Sequence, residues 1–168
     1  MGQEIDITEF NDDDYINFRK NLENETDLLT SLFNDKLLSQ DHLMGGFEVE
    51  SWLLNEKYQP ASVNKEFIDA FDSDLATQEL AKFNLEFNNT PQALSGSALS
   101  CFHRELNDIW RQAKSTASKL DNPSSLLLIG TLPTLDLSDL NSHSMSDMNR
   151  YRALNQEIMH RRKEKPVH

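Results

Sequence analysis

The stretch from Leu43 to Trp52, LMGGFEVESW, restricts the possible folds of this chain more than any other part of the sequence. Two glycines precede a run in which glutamates alternate with Phe, Val and Ser. Successive side chains of a strand point to opposite faces, so Glu48 and Glu50 share one face. Like charges side by side cost free energy unless a cation or a proton compensates them. The stretch therefore predicts a strand with one apolar face and one acidic face.

A second strand with the same alternation is predicted from Ala81 to Pro91, AKFNLEFNNTP. Its second face carries Glu86 between two asparagines. The residues of its apolar face are Phe83, Leu85 and Phe87. If the two strands are neighbours, Glu48, Glu50 and Glu86 converge on one side of a sheet. Two interpretations remain open at this point: a hard cation such as Mg²⁺ bound by carboxylate oxygens, or a hydrated face with solvated acids.

Helices account for most of the remaining pattern, because apolar residues recur there at spacings of three and four. We expect Asn11 to cap the first helix and Asn122-Pro123 to end the third. The short run SLLLIG predicts a strand buried on both faces. The predicted elements are helices over residues 12–38, 65–71, 97–120 and 147–163 and three strands over residues 43–52, 81–91 and 125–130.

Composition excludes several classes of protein. The net charge of −12 is the opposite of the basic footprint that nucleic-acid binding requires. No apolar run approaches the roughly 20 residues that span a bilayer, and the N-terminus lacks the pattern of a secretory signal. The single cysteine, Cys101, rules out an internal disulfide and favours a reducing compartment. We therefore expect a soluble cytoplasmic protein that binds neither nucleic acid nor membranes.

Four motifs, in order along nearly the whole chain, resemble the glutamate–cysteine ligase family, specifically the bacterial family-two ligases and related carboxylate–amine ligases. The motifs are GGFEVESWLL, ELAKFNLEFNNTP, LLLIGTLPTL and MSDMNRYRALNQEI. The resemblance implies an α+β fold related to glutamine synthetase. In that fold an antiparallel sheet forms part of a funnel, and helices pack on its outer face.

The resemblance also implies an activity, the ATP-dependent joining of L-glutamate to an amine through a glutamyl phosphate. Cysteine is the family's best-known amine acceptor, and the implied context is glutathione biosynthesis. Glu48, Glu50 and Glu86 match the family's ligands for Mg²⁺ or Mn²⁺. Glu79 matches a further acidic ligand. Its odd offset from Glu86 places it before the strand or across a bulge. No catalytic residue is assigned.

Substrate contacts follow from two further segments of the resemblance. Relatives carry Gly-Thr-His-Pro where this chain has Gly-Thr-Leu-Pro, so the polar role of that histidine is either absent or taken by Thr131. Arg150, Tyr151 and Arg152 match a segment near the substrate. An ordinary amphipathic helix with surface arginines explains these three residues equally well.

The length of the chain leads to a last expectation. Family members are more than twice as long, so residues 1–168 are interpreted as a single domain, the N-terminal portion of a longer ligase domain. Such a portion is expected to be inactive alone and to need self-association or a missing C-terminal half. The alternative function is a non-catalytic acidic interaction module that retains the ligase scaffold.

Overall fold

The structure, a computed structural model, describes residues 3–39 and 43–163 of the 168-residue chain. Within them it is a mixed α+β protein with four α-helices and two small antiparallel sheets. The elements are α1 (Asp12–Asn34), β1 (Met44–Gly45), β2 (Glu48–Leu54), α2 (Asn64–Phe71), β3 (Ala76–Gln78), β4 (Asn84–Asn88), β5 (Gln92–Ala93), α3 (Ala98–Ala117), β6 (Ser125–Leu127) and α4 (Asn149–Arg161). Two short 3₁₀ helices, Leu137–Asp139 and Ser142–Ser144, lie between β6 and α4.

The main sheet has four antiparallel strands in the order β3-β4-β2-β6. The two strands predicted from alternation, β2 and β4, are therefore neighbours at its centre. Their register pairs Val49 with Phe87, Glu50 with Glu86 and Ser51 with Leu85. Because side chains alternate along both strands, this register separates an apolar face from an acidic one.

One face of the main sheet, here called the core face, is covered by α2 and α3. Leu53, Leu85 and Phe87 are fully buried there. Phe67 of α2 meets the ring of Phe87 edge to face at a centroid distance of 6.1 Å. The helical stripe of α3 completes the same cluster with Ile109, Ala113 and Ala117. Small residues on α3 allow its backbone to approach the sheet closely, and the Phe67 and Phe87 rings pack in the same cluster.

The second glycine before β2 has a structural reason. A Cβ atom at Gly46 would lie 2.9 Å from Oδ1 of Asn89. That oxygen accepts a hydrogen bond from the Phe47 amide at 2.6 Å. A larger residue at position 46 would push the Asn89 side chain away, so the glycine allows this amide to fix the entry into β2.

The chain divides into two compact units, one containing the described residues 43–146 and the other residues 3–39 and 147–163. The second unit contains α1 and α4. As predicted, Asn11 caps α1, and its side chain accepts hydrogen bonds from the amides of Asp13 and Asp14. None of the α1 residues, all of which the structure describes, is buried. A single domain over residues 1–168 stays a prediction.

Several predicted elements need correction. The main sheet has four strands rather than three, because β3 pairs with β4. The prediction that SLLLIG is buried on both faces is wrong: only Leu126 is buried, because β6 is an edge strand. The first helix ends at Asn34, four residues before the predicted Leu38, and Lys36 beyond it takes a left-handed backbone with φ of 55°. No helix in the described part of the chain is long and apolar enough to cross a membrane.

Candidate functional site

The acidic side chains of β2 and β4 project from the face of the main sheet opposite the core face, here called the acid face. Glu50 lies directly across from Glu86, and Glu48 lies across from Asn88. Directly opposed residues in an antiparallel pair have Cβ atoms about 5 Å apart, and like charges there destabilise the sheet. The structure therefore brings Glu50 and Glu86 together, and Glu48 follows two residues away on the same face.

Glu79 reaches the same place from the neighbouring strand. It follows β3 directly, and Thr77 of β3 is paired with Glu86. Two residues beyond Thr77, the Glu79 side chain lies on the acid face, where its carboxyl is close enough to that of Glu86 for the two to affect each other's protonation. The odd sequence offset between the two glutamates is thereby explained, since Glu79 precedes β4 and approaches Glu86 from the adjacent strand.

The protonation of Glu79 reflects this crowding. Partial burial raises the pKa of the Glu79 carboxyl above its usual value, and the hydrogen bond with Glu86 raises it further. The Leu80 amide, which donates to Glu79 Oε2 at 3.1 Å, lowers the pKa, and the negative charges of Glu86 and Glu50 raise it by smaller amounts. The Glu79 carboxyl therefore holds its proton more tightly than a free glutamate, at a position that a cation would compete for.

The two asparagines that flank Glu86 differ in what they contact. Asn88 Nδ2 donates to Glu86 Oε1 at 2.8 Å and orients that carboxyl. Asn84 Nδ2 donates to the main-chain oxygen of Ser51 at 3.4 Å and holds β2 against β4. Only Asn88 therefore acts directly on the acidic cluster.

An open cleft of about 600 Å³ adjoins the cluster on the acid face. Glu50 and Glu79 lie along it, and the remaining lining is largely apolar. These other lining residues are Val49, Trp52, Leu80, Ala81, Asn84, Leu128, Ile129 and Gly130. The Trp52 ring stacks on Phe83 at a centroid distance of 5.6 Å, and its Nε1 donates to the Ile129 main-chain oxygen at 2.9 Å. The cleft therefore offers a carboxyl-lined part and a rigid apolar wall.

The glutamates of the acid face have the right chemistry for a metal ion, but their arrangement does not form a metal site. Carboxylate oxygens are the ligands that Mg²⁺ and Mn²⁺ prefer, so the chemistry of the glutamates fits. Across residues 3–39 and 43–163, however, no group of three or more His, Cys, Asp or Glu side chains stands in an arrangement that could hold an ion. Binding would require the Glu79 and Glu86 carboxyls to rearrange around a common ion.

The segment after β6 places Thr131 on the surface. Thr131 is exposed and is not part of the cleft lining, whereas Gly130 is. Leu132, at the position where the predicted resemblance has a histidine, is only 4 % exposed. The side chain at position 132 therefore contributes packing here.

Arg150, Tyr151 and Arg152 lie in the first turn of α4, in the unit that does not contain the glutamates. The Arg150 guanidinium stands over the Tyr151 ring, 4.6 Å from its centroid, and Nη2 donates to the Tyr151 hydroxyl at 2.9 Å. Arg152 forms an ion pair with Asp147. Both arginines are thus held by neighbours within their own unit.

Two buried polar residues near the cluster, Asn64 and Ser146, were missed by the sequence analysis. Each is 1 % exposed, and Asn64 Nδ2 donates to Ser146 Oγ at 2.8 Å. They lie 82 positions apart, so no local spacing could have paired them. The only sequence signal is a polar residue directly before each of two predicted helices.

Comparison with known proteins gave no match to this chain among protein-family models, curated proteins or solved structures. The resemblance to the glutamate–cysteine ligases stays a prediction that rests on the four sequence motifs.

Proposed function

We propose that this chain carries the metal-binding face of an ATP-dependent carboxylate–amine ligase of the glutamate–cysteine ligase type. The observation that carries the proposal is the convergence of Glu50, Glu79 and Glu86 on one face of an antiparallel sheet. Such a cluster lowers stability unless a cation or a proton compensates the charges, and a metal ion bound by the carboxylates would supply that compensation.

In this proposal Glu48, Glu50, Glu79 and Glu86 hold Mg²⁺ or Mn²⁺. When bound, the metal would neutralise ATP phosphates, so that the side-chain carboxylate of L-glutamate can attack the γ-phosphorus. The glutamyl phosphate then reacts with an amine, cysteine in the first instance, to form an amide and release phosphate. Asn88 keeps the Glu86 carboxyl in place, and Trp52 forms part of the apolar wall of the cleft.

The finer fold belongs to the same proposal. One helix-covered face and one acid face on an antiparallel sheet support a glutamine-synthetase-like funnel, whose inner wall would be the acid face. Thr131, Arg150, Tyr151 and Arg152 are the proposed substrate contacts. The protein would work in the cytoplasm, where ATP and reduced cysteine are present.

The first test is Mn²⁺ binding by the chain, measured by electron paramagnetic resonance of the free ion. We expect saturable binding that Glu86→Gln weakens at least tenfold, because one carboxylate ligand is lost. Glu56→Gln is the matched control, since Glu56 is an exposed residue of the turn after β2. Equal binding by wild type and Glu86→Gln would contradict the proposed site.

Turnover is the second test, measured as ADP release with ATP, L-glutamate and either cysteine or other amino acids. Glutamate-dependent ADP release that Glu86→Gln abolishes and Glu56→Gln preserves would establish a working ligase site on this chain. ADP release that does not depend on glutamate would contradict a ligase.

One observation favours a second candidate, a non-catalytic acidic interaction module. The absence of a ready three-ligand group from the described residues is what such a module would show. For this candidate we expect no Mn²⁺ binding at millimolar concentration, together with self-association on sedimentation that is indifferent to metal. Saturable Mn²⁺ binding sensitive to Glu86→Gln would exclude it.

A further inference from the structure

A buried clamp of two polar side chains holds the segment that carries Glu79. Four successive main-chain oxygens, those of residues 79–82, each accept a hydrogen bond from either Asn64 or Ser146. The four bonds are Ser146 Oγ to Glu79 O, Ser146 N to Leu80 O, Asn64 Nδ2 to Ala81 O and Asn64 N to Lys82 O. The path of the backbone from Glu79 onward is therefore set by two residues outside it.

The two side chains also bond to each other, which couples the two halves of the clamp. The Ser146 hydroxyl donates to the Glu79 oxygen and accepts from Asn64 Nδ2 at 2.8 Å. Asn64 Nδ2 also reaches the main-chain oxygens of Ala81 at 3.2 Å and Asn84 at 3.3 Å. All three of these neighbours accept, so only the amide nitrogen can face them, and the Asn64 side chain has one stable orientation.

The free-energy cost of this arrangement shows that it is specific. Burying an amide and a hydroxyl is unfavourable unless their hydrogen bonds are made, and both residues are 1 % exposed. The bonds satisfy backbone oxygens that follow β3, and one of them, Ser146 N to Leu80 O, belongs to an isolated antiparallel bridge between Ala81 and Met145. The side chains of Asn64 and Ser146 add bonds beyond this bridge and fix the segment where it leaves β3.

We infer that Asn64 and Ser146 are positioning residues for the acidic cluster, holding residues 79–82 so that the Glu79 carboxyl stays against Glu86. This inference rests on the proposed function, since it assigns the clamp to the metal ligands. The link is short: Ser146 Oγ bonds the main-chain oxygen of Glu79 itself, and the next amide, that of Leu80, bonds the Glu79 carboxylate at 3.1 Å.

The experiment compares Ser146→Ala with Ser144→Ala in the full chain. Ser146→Ala removes the side-chain bonds to Glu79 O and from Asn64 Nδ2 and keeps the main-chain bond to Leu80. Ser144 is the matched control, because its contribution to the same segment is its main-chain oxygen, which accepts from Lys82 N at 2.7 Å and survives the substitution. Asn64→Ala, which removes three bonds, serves as the stronger variant if it folds.

Two readouts are measured, one with metal and one without. For Mn²⁺ we expect the Kd of Ser146→Ala to rise about tenfold, the lower end for loss of a residue that orients a ligand, with Ser144→Ala unchanged. Without metal, the amide proton of Leu80 in ¹⁵N–¹H spectra reports its bond to the Glu79 carboxylate. Its shift should move in Ser146→Ala toward the value in Glu79→Ala, and should stay in place in Ser144→Ala.

The outcomes separate this inference from the proposed function. Unchanged Mn²⁺ affinity and an unchanged Leu80 shift in Ser146→Ala would overturn the inference. A Leu80 shift that moves while Mn²⁺ affinity stays would also overturn it, because the clamp would then act on the segment without acting on the ligands. If wild type binds no Mn²⁺, the proposed function fails, and the Leu80 shift alone decides whether the clamp positions Glu79. Rescue of both readouts by Ser146→Thr, which restores the hydroxyl, would support the inference.

Discussion

The two faces of β2 and β4 belong to the same seven-residue and five-residue strands, yet their side chains lie in different environments. On the core face, Leu53, Leu85 and Phe87 are fully buried and touch α2 and α3. On the acid face, Glu50 and Glu86 lie directly opposite each other. Neighbouring residues in one strand thus experience either close packing or charge repulsion.

The difference teaches which face stabilises the fold. Burial of aromatic and aliphatic side chains on the core face supplies free energy of folding, roughly 1.5–3 kcal/mol for each large residue. Opposed carboxyls on the acid face oppose folding. A face that costs stability points to binding, because crowded ionisable groups cluster at functional sites.

The largest expected effect is on the core face. Phe87→Ala should lower the free energy of unfolding by about 3–5 kcal/mol. The Phe87 ring contacts the rings of Phe67, Phe71 and Trp110, and its removal leaves a cavity among them. Urea unfolding followed by fluorescence measures the change. The matched control is Phe18→Ala on α1, where the ring is 66 % exposed and the expected change is within about 0.5 kcal/mol. An equal loss of unfolding free energy in Phe87→Ala and Phe18→Ala would contradict the conclusion that burial on the core face stabilises the fold.

A smaller effect is expected from the one serine of β2. Ser51 is fully buried on the core face, and within the described residues its Oγ has no hydrogen-bond partner. Ser51→Ala should therefore raise the free energy of unfolding by about 1 kcal/mol, since an unsatisfied hydroxyl leaves the core. In contrast, Ser124→Ala should lower it by a similar amount, because buried Ser124 Oγ donates to Asn122 O at 3.1 Å. A lower free energy of unfolding in Ser51→Ala would contradict this prediction, because it would mean that Ser51 Oγ forms a stabilising hydrogen bond.

The smallest effect concerns the acid face and depends on pH. The pKa of Glu79 is raised above 4.5 in the folded chain, so the folded state binds the proton more tightly than the unfolded state. Its contribution to stability is complete below about pH 4.5 and is lost as the pH rises through the folded pKa. Without metal, wild type should therefore lose stability relative to Glu79→Gln over that range, by less than about 1 kcal/mol for a partly exposed pair. Urea unfolding of both proteins from pH 4 to 8 checks this, and a pH-independent difference would contradict it.

Much of the local structure could be predicted from the sequence. Asn11 and three following aspartates predict the start of α1, and the alternation around Glu50 and Glu86 predicts β2 and β4. These signals work because they depend on neighbours in the chain: a cap bonds residues two or three positions away, and strand alternation has a period of two.

The remainder depends on contacts between distant residues. The strand β3 has three residues, Ala-Thr-Gln, with no apolar period, and it is defined by pairing with β4. Without it, Glu79 could not be placed on the acid face. Likewise, the apolar run of β6 cannot by itself distinguish a central strand from the edge strand that it is. The clamp of Asn64 and Ser146 is a tertiary contact with no local pattern.

The register of β2 against β4 also limits how this part of the gene can change. Deletion of a single codon between Gly46 and Glu50 would shift the strand by one residue and exchange its two faces. Glutamates would then point at the rings of Phe67 and Phe87, and apolar side chains would take their places on the acid face. A change in the length of this strand is thus far more damaging than a substitution within it.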